Sequence, residues 1–223
     1  MPTESLTIDG PAGPIEALLD LPATDAGAAC AVICHPHPLF GGTMTNKVVH
    51  TVARACNALG VPALRFNFRG AGRSAGQHDH GIGETDDALA VVEFARSRWP
   101  GRPLWLAGFS FGAYVALRAQ ATAAPAALVT VAPPAGRWDF SDVRTPRCPW
   151  LIVQGDADEV VDPAKVFEWV AAQQPAPRLI RLAGAGHFFH GRLHELRDAV
   201  AEFLAESAAA AATEGTSHAA NGQ

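Results

Sequence analysis

The chain has 223 residues, 48% of them hydrophobic and 17% charged, with a formal net charge of −5. That length holds one substantial core and is short for two domains. An acidic balance without a run of Lys or Arg lacks the electrostatic footprint of nucleic-acid binding, and no window approaches the roughly 18 apolar residues of a membrane span.

In chain order, the N-terminal MPTESLTIDGPAGPIEALLD shows no basic stretch leading into an apolar one, so no export signal is read there and a cytoplasmic location is expected. Its apolar runs at 5–8 and 15–21 predict an antiparallel hairpin at a sheet edge. Continuous apolar runs at 29–34, 62–68, 103–108, 127–132, 149–155 and 178–184 read as buried strands. Between them, helical spacing recurs over about 44–59, 84–98, 111–123, 163–173 and 192–206. Strand and helix alternate, which predicts a mostly parallel sheet of about eight strands with helices on both faces. One domain over 1–205 is expected, followed by an Ala-rich, then polar tail at 206–223 that is mobile beyond its first turns. Cys30 and Cys34 fall on one strand, roughly 13 Å apart, too far to bridge, and the four cysteines read as reduced, buried residues.

Ligands of open α/β sheets bind at the carboxyl ends of the strands, which here carry His35, the segment 67–70, Ser110, Asp158 and His187. Gly108-Phe109-Ser110-Phe111-Gly112 matches G-x-S-x-G between an apolar strand and a helical run. Small residues two positions either side of a serine permit a sharp turn, and the Phe111 N–H with the positive end of the helix then faces any charge that accumulates at Ser110. The duller reading of Ser110 is an ordinary helix N-cap. A serine becomes a nucleophile only with a base, itself oriented by an acid, and both appear downstream: acids at Asp156, Asp158, Glu159 and Asp162 after one strand, His187 after the next. Asp158 is preferred because it lies three residues past Gly155, ahead of Val160, Val161 and a helix start at Pro163; Asp156 reads as a turn residue.

ICHPHPLFGGTMTNKVV, LRFNFRGAGRSAG, GETDDALAVVEF, AGFSFGAYVA and QGDADEVVDP together resemble the α/β-hydrolase superfamily, and in particular its small bacterial serine hydrolases without a lid domain. The resemblance spans roughly residues 4–205 and implies an α/β-hydrolase fold with a Ser110–His187–Asp158 triad. It also implies an oxyanion hole whose second donor lies in HPHPLFGG. Pro36 and Pro38 have no N–H, so Leu39 is the leading candidate beside Phe111, with His37 and Phe40 as alternatives. His35 is expected to brace this loop. The usual place for a lid holds only the connection to the strand at 149–155, so an open, shallow site is expected. Phe40, Trp138 and Phe188 are expected to line an acyl pocket, with Phe140 and Phe189 nearby.

Histidine pairs at 35–37, 78–80 and 190–194 lack a completing ligand set, so no metal is expected. GAGRSAG is neither a Walker loop nor a full G-x-G-x-x-G, and Arg69 reads instead as a loop-shaping cation with Glu84 or Asp87 as partner. The expected function is cofactor-free hydrolysis of small carboxylic esters through an acyl-enzyme, acting on a small-molecule acyl substrate with no nucleic-acid or membrane partner, and leaving room for a homo-oligomer. The alternatives are a thioesterase or small-amide hydrolase with the same triad, and a non-catalytic binding protein on this fold.

Overall fold

A computed structural model describes residues 2–220. Strands β1 (Thr3–Gly10), β2 (Gly13–Asp20), β3 (Cys30–Cys34), β4 (Ala63–Phe66), β5 (Leu104–Phe109), β6 (Ala127–Val131), β7 (Trp150–Gly155) and β8 (Arg178–Leu182) form one sheet in the order β1-β2-β4-β3-β5-β6-β7-β8. β1 and β2 are the predicted antiparallel hairpin at one edge, β2 is antiparallel to β4, and every later pairing is parallel. Helices α1 (Lys47–Ala58), α2 (Ile82–Arg98), α3 (Phe111–Ala123), α4 (Pro163–Ala171) and α5 (Leu193–Ala220) fill the intervals.

The continuous apolar strands are buried on both sides. Along β5, Leu104 and Leu106 pack beneath α2, α3 and α4, whereas Trp105, Ala107 and Phe109 pack beneath α1 and α5. This is the period of two of a strand sandwiched between helix layers. Side-chain caps set two helix starts: Asn46 Oδ1 accepts from Val48 N–H and begins α1 three residues later than its periodicity suggests, and Asp162 caps α4 through Ala164 N–H. Helix α5 crosses the predicted 205/206 boundary and continues to Ala220; the remainder of the expected mobile tail, 221–223, lies outside the described residues. All four cysteines are free. Among the described residues, no helix is long and apolar enough to cross a membrane.

Arg69 forms the expected ion pair with Asp87, at 2.8 Å, but Glu84 takes a different role. Its carboxylate accepts from the Asp79 and Gly81 N–H groups and lies 2.7 Å from His78 Nδ1, so it fastens the loop before α2 rather than Arg69. Segment 132–149, between β6 and β7, contains no helix.

Candidate active site

Three strand ends deliver Ser110, Asp158 and His187 to one point. Ser110 occupies the turn from β5 into α3 with φ of 53°, a left-handed conformation that costs a non-glycine residue energy and must be held by its surroundings. Its N–H donates to Val131 O at 2.8 Å, while the flanking glycines allow the close approach. A Cβ on Gly108 would stand 2.1 Å from Gly112 O, and one on Gly112 would stand 2.3 Å from Cys34 O. The serine is thereby lifted off the sheet.

The Ser110 hydroxyl donates to His187 Nε2 at 3.0 Å, and His187 Nδ1–H donates to Asp158 Oδ2 at 2.8 Å. His187 and Asp158 are buried. Asp158 Oδ1 accepts from the N–H groups of Val160 and Val161, and Oδ2 also accepts from Gln154 Nε2. Burial opposes ionisation of Asp158, but the His187 hydrogen bond and the two backbone donors outweigh it and hold the carboxyl below its usual range. The anion in turn fixes the proton of His187 on Nδ1 and leaves Nε2 as an acceptor for the serine proton. Asp156 points elsewhere, accepting from Gly184 N–H at 2.6 Å and bracing the loop that carries His187. Gln154 was not singled out from the sequence; its one visible signal is a polar residue at the end of an otherwise apolar strand.

The loop after β3 carries Leu39, the expected second donor. Its N–H donates to His37 Nδ1 at 3.2 Å and its side chain is exposed. Phe40 N–H and Gly42 N–H are bonded to His37 O. Among the described residues the His37 N–H has no hydrogen-bond partner, and neither does that of Phe111 at the first position of α3, a terminus where backbone donors are naturally left over. His35 ties this loop down from below, its Nδ1–H donating to Pro36 O and its Nε2 accepting from Phe68 N–H at 3.0 Å. Burial, only partly offset by the Pro36 carbonyl, pushes His35 down to about 4. The folded ring is therefore neutral where an unfolded chain takes up a proton below about 6.5. Between those values the unfolded state binds more protons, so stability falls as pH is lowered through this window, by on the order of 3 kcal/mol from this group. Urea midpoints at pH 7 and pH 4.5 check this: the wild type loses more stability across the interval than His35→Gln does.

A cavity of about 370 Å³ opens beside Ser110. Phe40, Trp138 and Phe188 all line it, as the sequence suggested, together with His37, Phe111 and Arg137. Phe140 and Phe189 go to the interior instead: Phe189 is fully buried, and Phe140 packs between Tyr114 and Trp169. Among the described residues no three His, Cys, Asp or Glu side chains converge as a metal site.

Residues 28–141 match the family model described as serine aminopeptidase, S33. A lid-less α/β serine hydrolase from Xanthomonas campestris is 49% identical, with a TM-score of 0.88 over 92% of this chain and 96% of that one. An α/β serine hydrolase homologue from Coxiella burnetii is 44% identical, with a TM-score of 0.87 over 91% of this chain and 97% of the other. An uncharacterized protein of Rickettsia prowazekii is 33% identical over 206 residues, 88% of this chain and 86% of its own length.

Proposed function

We propose, from the premise that this chain belongs to the α/β-hydrolase superfamily and is a serine hydrolase of that fold, that it cleaves small carboxylic esters through an acyl-enzyme. The observation that carries the reading is the unbroken hydrogen-bonded chain from Ser110 through His187 to Asp158, set beside two backbone N–H groups without partners. In this mechanism Ser110 Oγ attacks the ester carbonyl carbon as His187 Nε2 takes its proton, and Asp158 stabilises the imidazolium. The carbonyl oxygen becomes an oxyanion held by Phe111 N–H and, in place of Leu39, His37 N–H. His187 returns the proton to the leaving alcohol, then activates the water that releases the acid and restores Ser110. The peptidase activity named by the family model finds less support. A free α-ammonium group needs an unpaired carboxylate in the cavity, and the charged side chain on its wall outside the triad is Arg137.

A panel of p-nitrophenyl esters, thioesters and anilides tests the reading, with fluorophosphonate labelling of Ser110 alongside. Esters are turned over fastest and the label attaches quickly; rapid thioester cleavage with slow esters would move the assignment to a thioesterase. The cavity also limits chain length. Each buried methylene contributes about 0.8 kcal/mol only while protein covers it, and about 370 Å³ lies at the small end of ligand pockets. Specificity is therefore expected to hold or rise to about butyrate and to fall beyond roughly C8, the burial argument extrapolated in order of magnitude. A monotonic rise to palmitate below its micelle concentration would reveal a long apolar groove instead.

A further inference from the structure

Outside the triad, the polar side chains on the cavity wall are His37, Asn46 and Arg137. Asn46 has its Oδ1 engaged by Val48 N–H, which leaves its amide N–H₂ to offer. His37 accepts Leu39 N–H on Nδ1, which puts its proton on Nε2, and burial with His78 close by keeps the ring neutral. Arg137 is exposed at the cavity wall and donates through Nη1 to Val160 O at 3.2 Å, a bond that orients the guanidinium without neutralising it. The carboxylates of its own loop and of the loop that carries Val160 are engaged elsewhere, Asp142 by Arg118. Asp139 accepts from Ser141 N–H, Glu159 from His187 N–H, and Asp162 from Ala164 N–H, and among the described residues Arg137 has no ion-pair partner. The wall thus presents hydrogen-bond donors and an unneutralised positive charge on an otherwise apolar, aromatic surface.

A cavity of that character is complementary to an acceptor-rich anion. We infer that Arg137 forms an anion subsite, and that the ester cleaved here carries a carboxylate a few atoms from the scissile bond. The inference rests on the esterase reading and narrows its substrate class. The planar fork of a guanidinium suits a carboxylate held by two parallel hydrogen bonds, and because Arg137 is exposed the pair is partly screened, so its selectivity is greatest at low ionic strength. The carboxylate can belong to the acyl group, as in a monoester of a dicarboxylic acid, or to the leaving alcohol, as in an ester of a hydroxy acid.

Two ester pairs distinguish these sources. Monoethyl adipate against ethyl heptanoate places the charge on the acyl side, and 4-carboxyphenyl acetate against 4-carbamoylphenyl acetate places it on the leaving group. For one pair, the ratio of kcat/KM, charged over uncharged, is expected to fall about tenfold or more in Arg137→Gln at low ionic strength, the size of a charge-assisted hydrogen bond. Arg137→Glu should reduce it further, and added salt should erode the wild-type ratio. The pair that responds identifies the side. Ratios unchanged by either substitution for both pairs overturn the subsite. Binding to Ser110→Ala, read by calorimetry, keeps the two readings separate. Carboxylate-selective binding dependent on Arg137, in a wild type that turns over no ester, overturns the esterase reading alone. Binding of adipate that is indifferent to Arg137 overturns this one.

Discussion

Ser110→Ala is expected to fold as the wild type does and to lose about 10⁴- to 10⁶-fold in turnover, the range found when a triad nucleophile is removed. The substitution deletes one hydroxyl at a half-buried turn and leaves the backbone bond from residue 110 N–H to Val131 O in place, so an unchanged thermal midpoint is expected with it. Residual turnover should reflect the oxyanion donors and binding alone. Steady-state kinetics on the purified variant, with fluorophosphonate labelling, checks both halves: substantial hydrolysis that survives purification removes Ser110 from the mechanism.

Asp158→Asn should be nearly as severe. An amide cannot stabilise the His187 cation, and its N–H₂ would leave Nδ1 without an acceptor for its proton, favouring the tautomer with the proton on Nε2 where Ser110 needs a base. A loss of roughly 10⁴-fold in kcat is expected. Asp156→Asn changes one partner of the Gly184 N–H in an exposed turn and keeps a side-chain oxygen there, so a change of no more than about a few-fold is expected. The opposite ranking would assign the orienting acid to the wrong member of this acidic turn.

The regular parts of this molecule were legible because they follow from periodicity and turn chemistry. The G-x-S-x-G turn, the limits of α3 and the edge hairpin needed only the spacing of apolar residues and glycines. That Asp158 rather than Asp156 reaches the His187 ring follows the position of the strand end at Gly155. What escaped depends on local side-chain to backbone bonds. The identity of the second unpaired donor turns on the His37 ring capturing Leu39 N–H, a choice that composition and spacing do not encode. The division of labour between Asp87 and Glu84 is similar, since either carboxylate could meet Arg69 by sequence distance, and only the fold gives Glu84 to the backbone of 79–81. Gln154 and Arg137 were hidden for another reason. The partner of Arg137, the Val160 carbonyl, lies on the loop that follows β7, which nothing near Arg137 announces, and Gln154, four residues before Asp158, shows in the sequence only as one polar residue closing an apolar strand.

The order of the strands divides the proposed nucleophile and its base between two mechanical regimes. Ser110 follows β5, flanked by β3 and β6 and buried along its whole length, so freeing it demands opening the middle of the sheet. His187 follows β8, the outermost strand, bonded on one side only, to β7, with most of its residues at least partly exposed. Edge strands open at a fraction of the global unfolding free energy, whereas central ones open only with the whole domain. The base is therefore the member held by the weaker local restraint, and a partial detachment of β8 would silence the serine while the core around it stays closed to solvent.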